Sequence, residues 1–117
     1  MTKLKLKSGL LVLARKIQKH YGKQVQGIYS VDLGQTYDPE DRSDAYVIVV
    51  LADGNWRYFD EVGTLAGLSY DVLEETEVFV DAEPVTLSAW NARSGKVSEI
   101  SPSILERAES LLEVVVA

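Results

Sequence analysis

The sequence predicts an α/β (α+β) fold, a small mixed sheet flanked by helices in one domain over residues 1–117. Three patterns predict it. Leu6, Leu10, Leu13, Ile17 and Tyr21 recur at steps of four, three, four and four, the spacing of one helical face. Residues 45–51, AYVIVVL, form an apolar, β-branched run without polar alternation, which marks a central strand covered on both faces. From Trp56 the pattern turns helical until about Glu75, and two-residue alternation returns from Glu77 to Val85.

The first helix is amphipathic, because Lys7, Arg15, Lys16 and Lys19 lie mostly off its apolar face. Gly22 is a natural C-terminal cap, and Lys19, His20 and Lys23 suit the negative end of the helix dipole. His20, the single histidine, reads as a helix-end residue, since no Ser/His/Asp arrangement surrounds it. Val25 to Val31 reads as a strand running into a turn at 30–34, and the polar segment YDPEDRSD (37–44) as a loop. After the central strand, Asp53, Gly54 and Asn55 break the run and are expected to supply the N-cap of the second helix.

That helix should place Phe59, Val62, Ala66 and Leu73 on one face, with Leu65, Leu68 and Val72 beside it. Gly63 and Gly67 each weaken a helix by up to about 1 kcal/mol relative to Ala, and the expected return is close packing on the sheet. A third strand is expected near 77–83, with Val78 and Val80 on one side, Phe79 and Asp81 on the other, and Pro84 marking an edge or a strand end. NARSGKVSE (91–99) reads as a flexible connection. Ser101 and Pro102 then announce a last helix, whose stripe is Ile104, Leu105, Ala108, Leu111, Leu112 and Val115.

Composition is that of an ordinary globular domain, 46% hydrophobic and 26% charged. With no cysteine, disulfides, thiol catalysis and zinc thiolate sites are excluded, and a reducing cytoplasm is the expected location. The apolar runs at 9–14 and 47–52 fall far short of a membrane span. The start KLKLKSGLLVLARK mimics a signal peptide, but its apolar centre is short and ends in Arg15 and Lys16, so it reads as mature structure. Net charge is −6, divided unevenly: residues 1–23 hold seven of the twelve Lys and Arg and no acid, and the remainder carries −13. Affinity for a phosphate backbone scales with positive contacts, so nucleic acid is not an expected partner.

The segment with the most chemistry is GIYSVDLGQTYDPEDRSDAYVIVV, residues 27–50. It resembles the active site of the minimal nucleotidyltransferases, whose motif runs strand, GSxAxG, polar loop, and DSDIDLLVV in the next strand. Ser30 and Gly34 match the Ser and last Gly, and Ser43 and Asp44 match the first SD. The segment VDAEPVTLSAW resembles the family's VDxxPxxLSxW stretch and makes Asp81 the candidate third carboxylate. The resemblance implies a nucleotidyltransferase-like fold and Mg²⁺-dependent transfer of a nucleotidyl group, commonly adenylyl from ATP. Ser30 and Gly34 would then hold the triphosphate, and Asp44 and Asp81 would act as catalytic, metal-binding carboxylates. It also implies kinship with the antitoxin half of toxin–antitoxin pairs, whose partner is a small helical HEPN-type protein.

Tyr46 stands where the family has its second metal-binding Asp. Carboxylates at i and i+2 of a strand share a face and present four oxygens to one small volume, whereas Asp44 with Tyr46 presents two. A tyrosine hydroxyl is mostly protonated at neutral pH and is a poor magnesium ligand. The expectation is therefore a degenerate member, catalytically weak or inactive, that acts as an antitoxin-like or partner-binding module or as a homo-oligomer. Two alternatives stay open. One is an active transferase using a rearranged set from Asp32, Asp38, Asp41 and Asp44; the other is an interaction protein without any ligand. For Asp81 the alternative is a solvated strand-end aspartate.

Overall fold

The computed structural model describes residues 1–32 and 43–116. Helix α1 (Lys3–Tyr21) starts where the Thr2 hydroxyl accepts the Lys5 amide at 3.1 Å, and it ends at Gly22, whose φ of 58° suits a residue without Cβ. Strand β1 (Val25–Val31) follows a short 3₁₀ turn, and β2 (Ala45–Leu51) pairs with it antiparallel. Helix α2 (Tyr58–Thr76) crosses over to β3 (Val80–Thr86), which lies parallel to β2. Short helices α3 (Leu87–Ala92) and α4 (Pro102–Glu106), strand β4 (Glu109–Ser110) and helix α5 (Leu112–Val116) complete the described chain. The sheet order is β3-β2-β1-β4, so the sheet is mixed and β3 forms one edge.

Alternation along β2 divides the core in two. Val47, Val49 and Leu51 face α1, α2 and α5, together with Leu13, Ile17, Leu65, Val72 and Leu111. Ile48 and Val50 face the other way, into a smaller layer of Val31, Val85, Trp90, Val97 and Leu105. Val47 to Leu51 are all buried, as a strand covered on both faces requires.

The last helix expected from Ile104 to Val115 does not form as one piece. Leu105, Ile104 and Ala108 pack on the α3 side of the sheet, whereas Leu111, Leu112 and Val115 pack on the α1 side. One straight helix cannot lie on both faces, so the chain crosses the sheet edge between them. There Glu109 and Ser110 pair with Ser30 and Tyr29, and the Leu111 amide donates to the Ile28 carbonyl at 2.8 Å.

Other boundaries shift for similar reasons. The third strand runs to Thr86 because its ladder with β2 extends from Val80 to Thr86, with Pro84 opposite Val49 on the edge strand. Asp53 serves the start of α3 rather than α2: Thr86 is the N-cap, its hydroxyl accepting the Ala89 amide at 3.2 Å, and the Asp53 carboxylate accepts the Ser88 amide at 3.0 Å and the Ser88 hydroxyl. The N-cap of α2 is Arg57, which makes no side-chain cap bond, and Asp60 and Glu61 supply the favourable charge in its first turn. The segment read as a flexible connection instead carries the end of α3 and a 3₁₀ turn, Gly95–Glu99, anchored by buried Val97.

The face of α2 that enters the core is Leu65, Ser69 and Val72, while Phe59, at 83% exposure, and Ala66 look outward. A Cβ added at Gly63 or Gly67 would meet nothing within 4 Å, so neither glycine permits close packing. The glycine that does is Gly9 of α1, where a Cβ would lie 2.6 Å from Val78.

Candidate functional site

The strand register carries Ser30, Asp44 and Asp81 toward the same end of the sheet. Ser30 is opposite Val47, Asp44 immediately precedes β2, and Asp81 is opposite Tyr46. Their side chains do not share one face. Ser30 has the parity of Ile28, which packs toward α1, whereas Tyr46 packs into the layer beneath α3 and α4. Gly34, Asp38 and Asp41 lie outside the described residues.

Asp44 is engaged with backbone. Its amide donates to the Phe79 carbonyl at 2.7 Å, and its Oδ2 accepts the Phe79 amide at 2.8 Å, which ties the start of β2 to the approach of β3. Tyr46 is half-buried among apolar side chains. Burial pushes its hydroxyl above the ordinary tyrosine range, and the charges of Glu83 and Asp81 push the same way, so it stays neutral. Next to it on β1, Tyr29 stacks on Trp90 with ring centroids 4.6 Å apart, and the Arg93 guanidinium lies 4.2 Å over the indole. Gly27 makes room for that stack, since a Cβ there would lie 2.6 Å from the Tyr29 ring.

Magnesium requires near-octahedral oxygen ligands. Here one Asp44 oxygen already holds an amide, the i+2 position carries a neutral phenol, and among the described residues no group of three or more metal-capable side chains is close enough to hold an ion. The residues described at this end do not supply the carboxylate pair that magnesium would need.

A second feature lies at the opposite end of the same two strands. Outside the carboxyl ends of β2 and β3, a cleft of about 620 Å³ opens between Trp56 and Tyr58 on one side and Ala89, Lys96 and Glu99 on the other, with Leu51 and Val85 at its floor. The Trp56 indole N–H is taken by the Ala52 carbonyl at 2.6 Å, and its ring meets Tyr21 edge-on. Tyr58 donates its hydroxyl to Glu83, which helps push that phenol up to about 12. The Glu83 carboxyl is held above its ordinary range, chiefly by burial and further by Asp81 and Glu99, with Tyr58 and Lys96 pulling it down.

This cleft was not legible in the sequence, because Trp56, Glu83 and Lys96 come from separate elements with no motif linking them. The one sequence signal was a tryptophan beside the Asp53–Asn55 break at the end of the central strand. The third surface feature is the outer face of α2, where Phe59, Ala66, Tyr70 and Leu73 follow one helical line toward exposed Phe79. A shallow groove runs along it between α2 and β3, and Ser69 at its wall is buried with an unpartnered hydroxyl. Compared with known proteins, the chain matches no family model, no curated protein and no solved structure. No helix among the described residues is long and apolar enough to cross a membrane.

Proposed function

We propose that the chain is a degenerate nucleotidyltransferase-fold protein of the cytoplasm that has exchanged transfer chemistry for partner binding, in the manner of an antitoxin. The observation that carries this reading is the outer face of α2. Phe59 is 83% and Tyr70 60% exposed, on the line that also holds Ala66 and ends near Phe79, at the open edge of the sheet. Asp60, Asp71 and Glu74 border that line, and α2 contains no basic residue. The complement of such a surface is a helix with an apolar stripe and basic flanks, and the partner proposed for it is the one the resemblance implies, a small helical protein of the HEPN type. A second copy of this chain is a poorer complement, because two α2 helices would bring like charges together.

Loss of transfer is supported at the end of the sheet that carries the motif. Asp44 is spent on the Phe79 amide, and Tyr46 fills an apolar layer where a second carboxylate would stand. The test combines two measurements on the intact chain: label transferred from ATP in the presence of Mg²⁺, and association with a co-expressed HEPN-type protein. We expect no transfer, and a complex that is lost when Phe59→Asp and Tyr70→Asp are combined. Magnesium-dependent labelling abolished by Asp44→Ala would establish the active transferase instead, and a homodimer broken by the same pair would make the partner a second copy.

A further inference from the structure

We propose that the cleft at the carboxyl ends of β2 and β3 binds a small organic cation, an amine carried on an apolar skeleton. This site is separate from the α2 surface and does not rest on the function proposed above. Its volume, about 620 Å³, falls in the range of small-molecule sites, and its floor and walls are mainly apolar, from Leu51, Trp56, Val85 and Ala89. Ligands of α/β sheets commonly bind outside the carboxyl ends of parallel strands, which is where it opens.

The polar groups decide the ligand's charge. The two aromatic donors are already committed: the Trp56 N–H goes to the Ala52 carbonyl and the Tyr58 hydroxyl to Glu83. Acceptors are in excess. Glu61, one oxygen of which accepts the Tyr21 hydroxyl at 2.9 Å, and Glu99 line the cleft, and Glu83 lies behind Tyr58, against Lys96 as the one cation among the described lining residues. Lys96 lies near enough to Glu83 to draw its carboxyl down. An ammonium carries three donors and no acceptor, which matches an acceptor-rich lining, and Trp56 puts an aromatic ring in that lining. An anion would meet carboxylates, and a neutral alcohol would satisfy fewer of them.

The experiment titrates the intact chain with phenethylamine, phenethyl alcohol and hydrocinnamate, three probes of similar shape and different charge, followed by amide and indole NMR shifts and by calorimetry. Phenethylamine should shift the Trp56 indole and the Gly95 and Lys96 amides. It should bind about tenfold more tightly than the alcohol, since each of the two lining carboxylates contributes about threefold. Hydrocinnamate should not shift these signals. Combining Glu61→Gln with Glu99→Gln should reduce the preference for the amine to about threefold or less, while Lys96→Ala, on an exposed side chain, should tighten amine binding by about threefold. Equal binding of amine and alcohol, shifts dispersed away from the cleft, or amine affinity unchanged in the well-folded Lys96→Ala protein would each overturn the assignment.

Discussion

At the scale of single residues, Asp44 and Tyr46 separate a structural role from a catalytic one. Asp44 works as an acceptor for one backbone amide, so what matters is an oxygen at that position rather than a charge. Asp44→Ala should cost about 1 kcal/mol in urea unfolding, and Asp44→Asn should retain most of the stability. Equal losses for the two would show that the charge itself is needed. Tyr46 sits opposite Asp81 and near Glu83. Tyr46→Asp removes a packed ring and adds a carboxylate beside two others, so it should lose about 2 to 4 kcal/mol. A divalent cation relieves that repulsion. Mg²⁺ should therefore stabilise the variant and leave the wild type unchanged, and identical responses to Mg²⁺ in the two proteins would refute the idea that carboxylates at 46, 81 and 83 adjoin.

At the scale of elements, the three helix glycines should behave oppositely. Gly63 and Gly67 face open space, so replacing each with Ala should stabilise α2 by about 0.5 to 1 kcal/mol through helix propensity alone. At Gly9 the same gain meets Val78 at 2.6 Å, and overpacking of about 1 to 3 kcal/mol outweighs it. Thermal or urea unfolding of the three single variants checks both signs at once; a stabilised Gly9→Ala would mean that α1 has room to move away from Val78. The last stripe of apolar residues shows why helices that read alike in sequence differ in space. Its spacing satisfies a helix throughout, but the two halves serve opposite faces of one sheet, and the exchange of hydrogen bonds at Glu109 to Leu111 compensates the break.

At the scale of the whole molecule, pH dependence follows from the tyrosines. Burial and a bond to Glu61 raise Tyr21, burial and carboxylates raise Tyr46, and the bond to Glu83 raises Tyr58 to about 12. Above pH 10 the unfolded chain releases these protons while the folded chain keeps them. Unfolding is then favoured, so stability falls as pH rises from 10 through the raised values. Tyr46→Phe should make that alkaline decline shallower, measured as urea midpoint against pH; an unchanged slope would mean that Tyr46 titrates alike in both states. The raised Glu83 has the same sign at lower pH, contributing stability below its ordinary range of 4.5 that is lost as pH climbs through its raised value. Among the described residues, Lys5–Glu77 and Lys16–Glu75 are ion pairs between α1 and the C-terminal end of α2, exposed enough to matter little.

The sequence by itself determined the elements whose signals are local. The α1 stripe and its Gly22 cap, the doubly covered strand 45–51, the helical span before β3 and the edge position of Pro84 all follow from periodicity or from one residue's backbone chemistry. Which helix start Asp53 serves was not local: it is followed by a helix of its own, yet its carboxylate reaches Ser88 across the sheet end. Which stripe of α2 entered the core was not local either, because Leu65 and Val72 became interior only when α1 and β2 met them. The same holds at the sheet end that carries the motif. The resemblance put Ser30, Asp44 and Asp81 at one site, but strand parity is assigned by which face each neighbour buries. Only the packed sheet decided that Ser30 lies on one side and Tyr46 on the other.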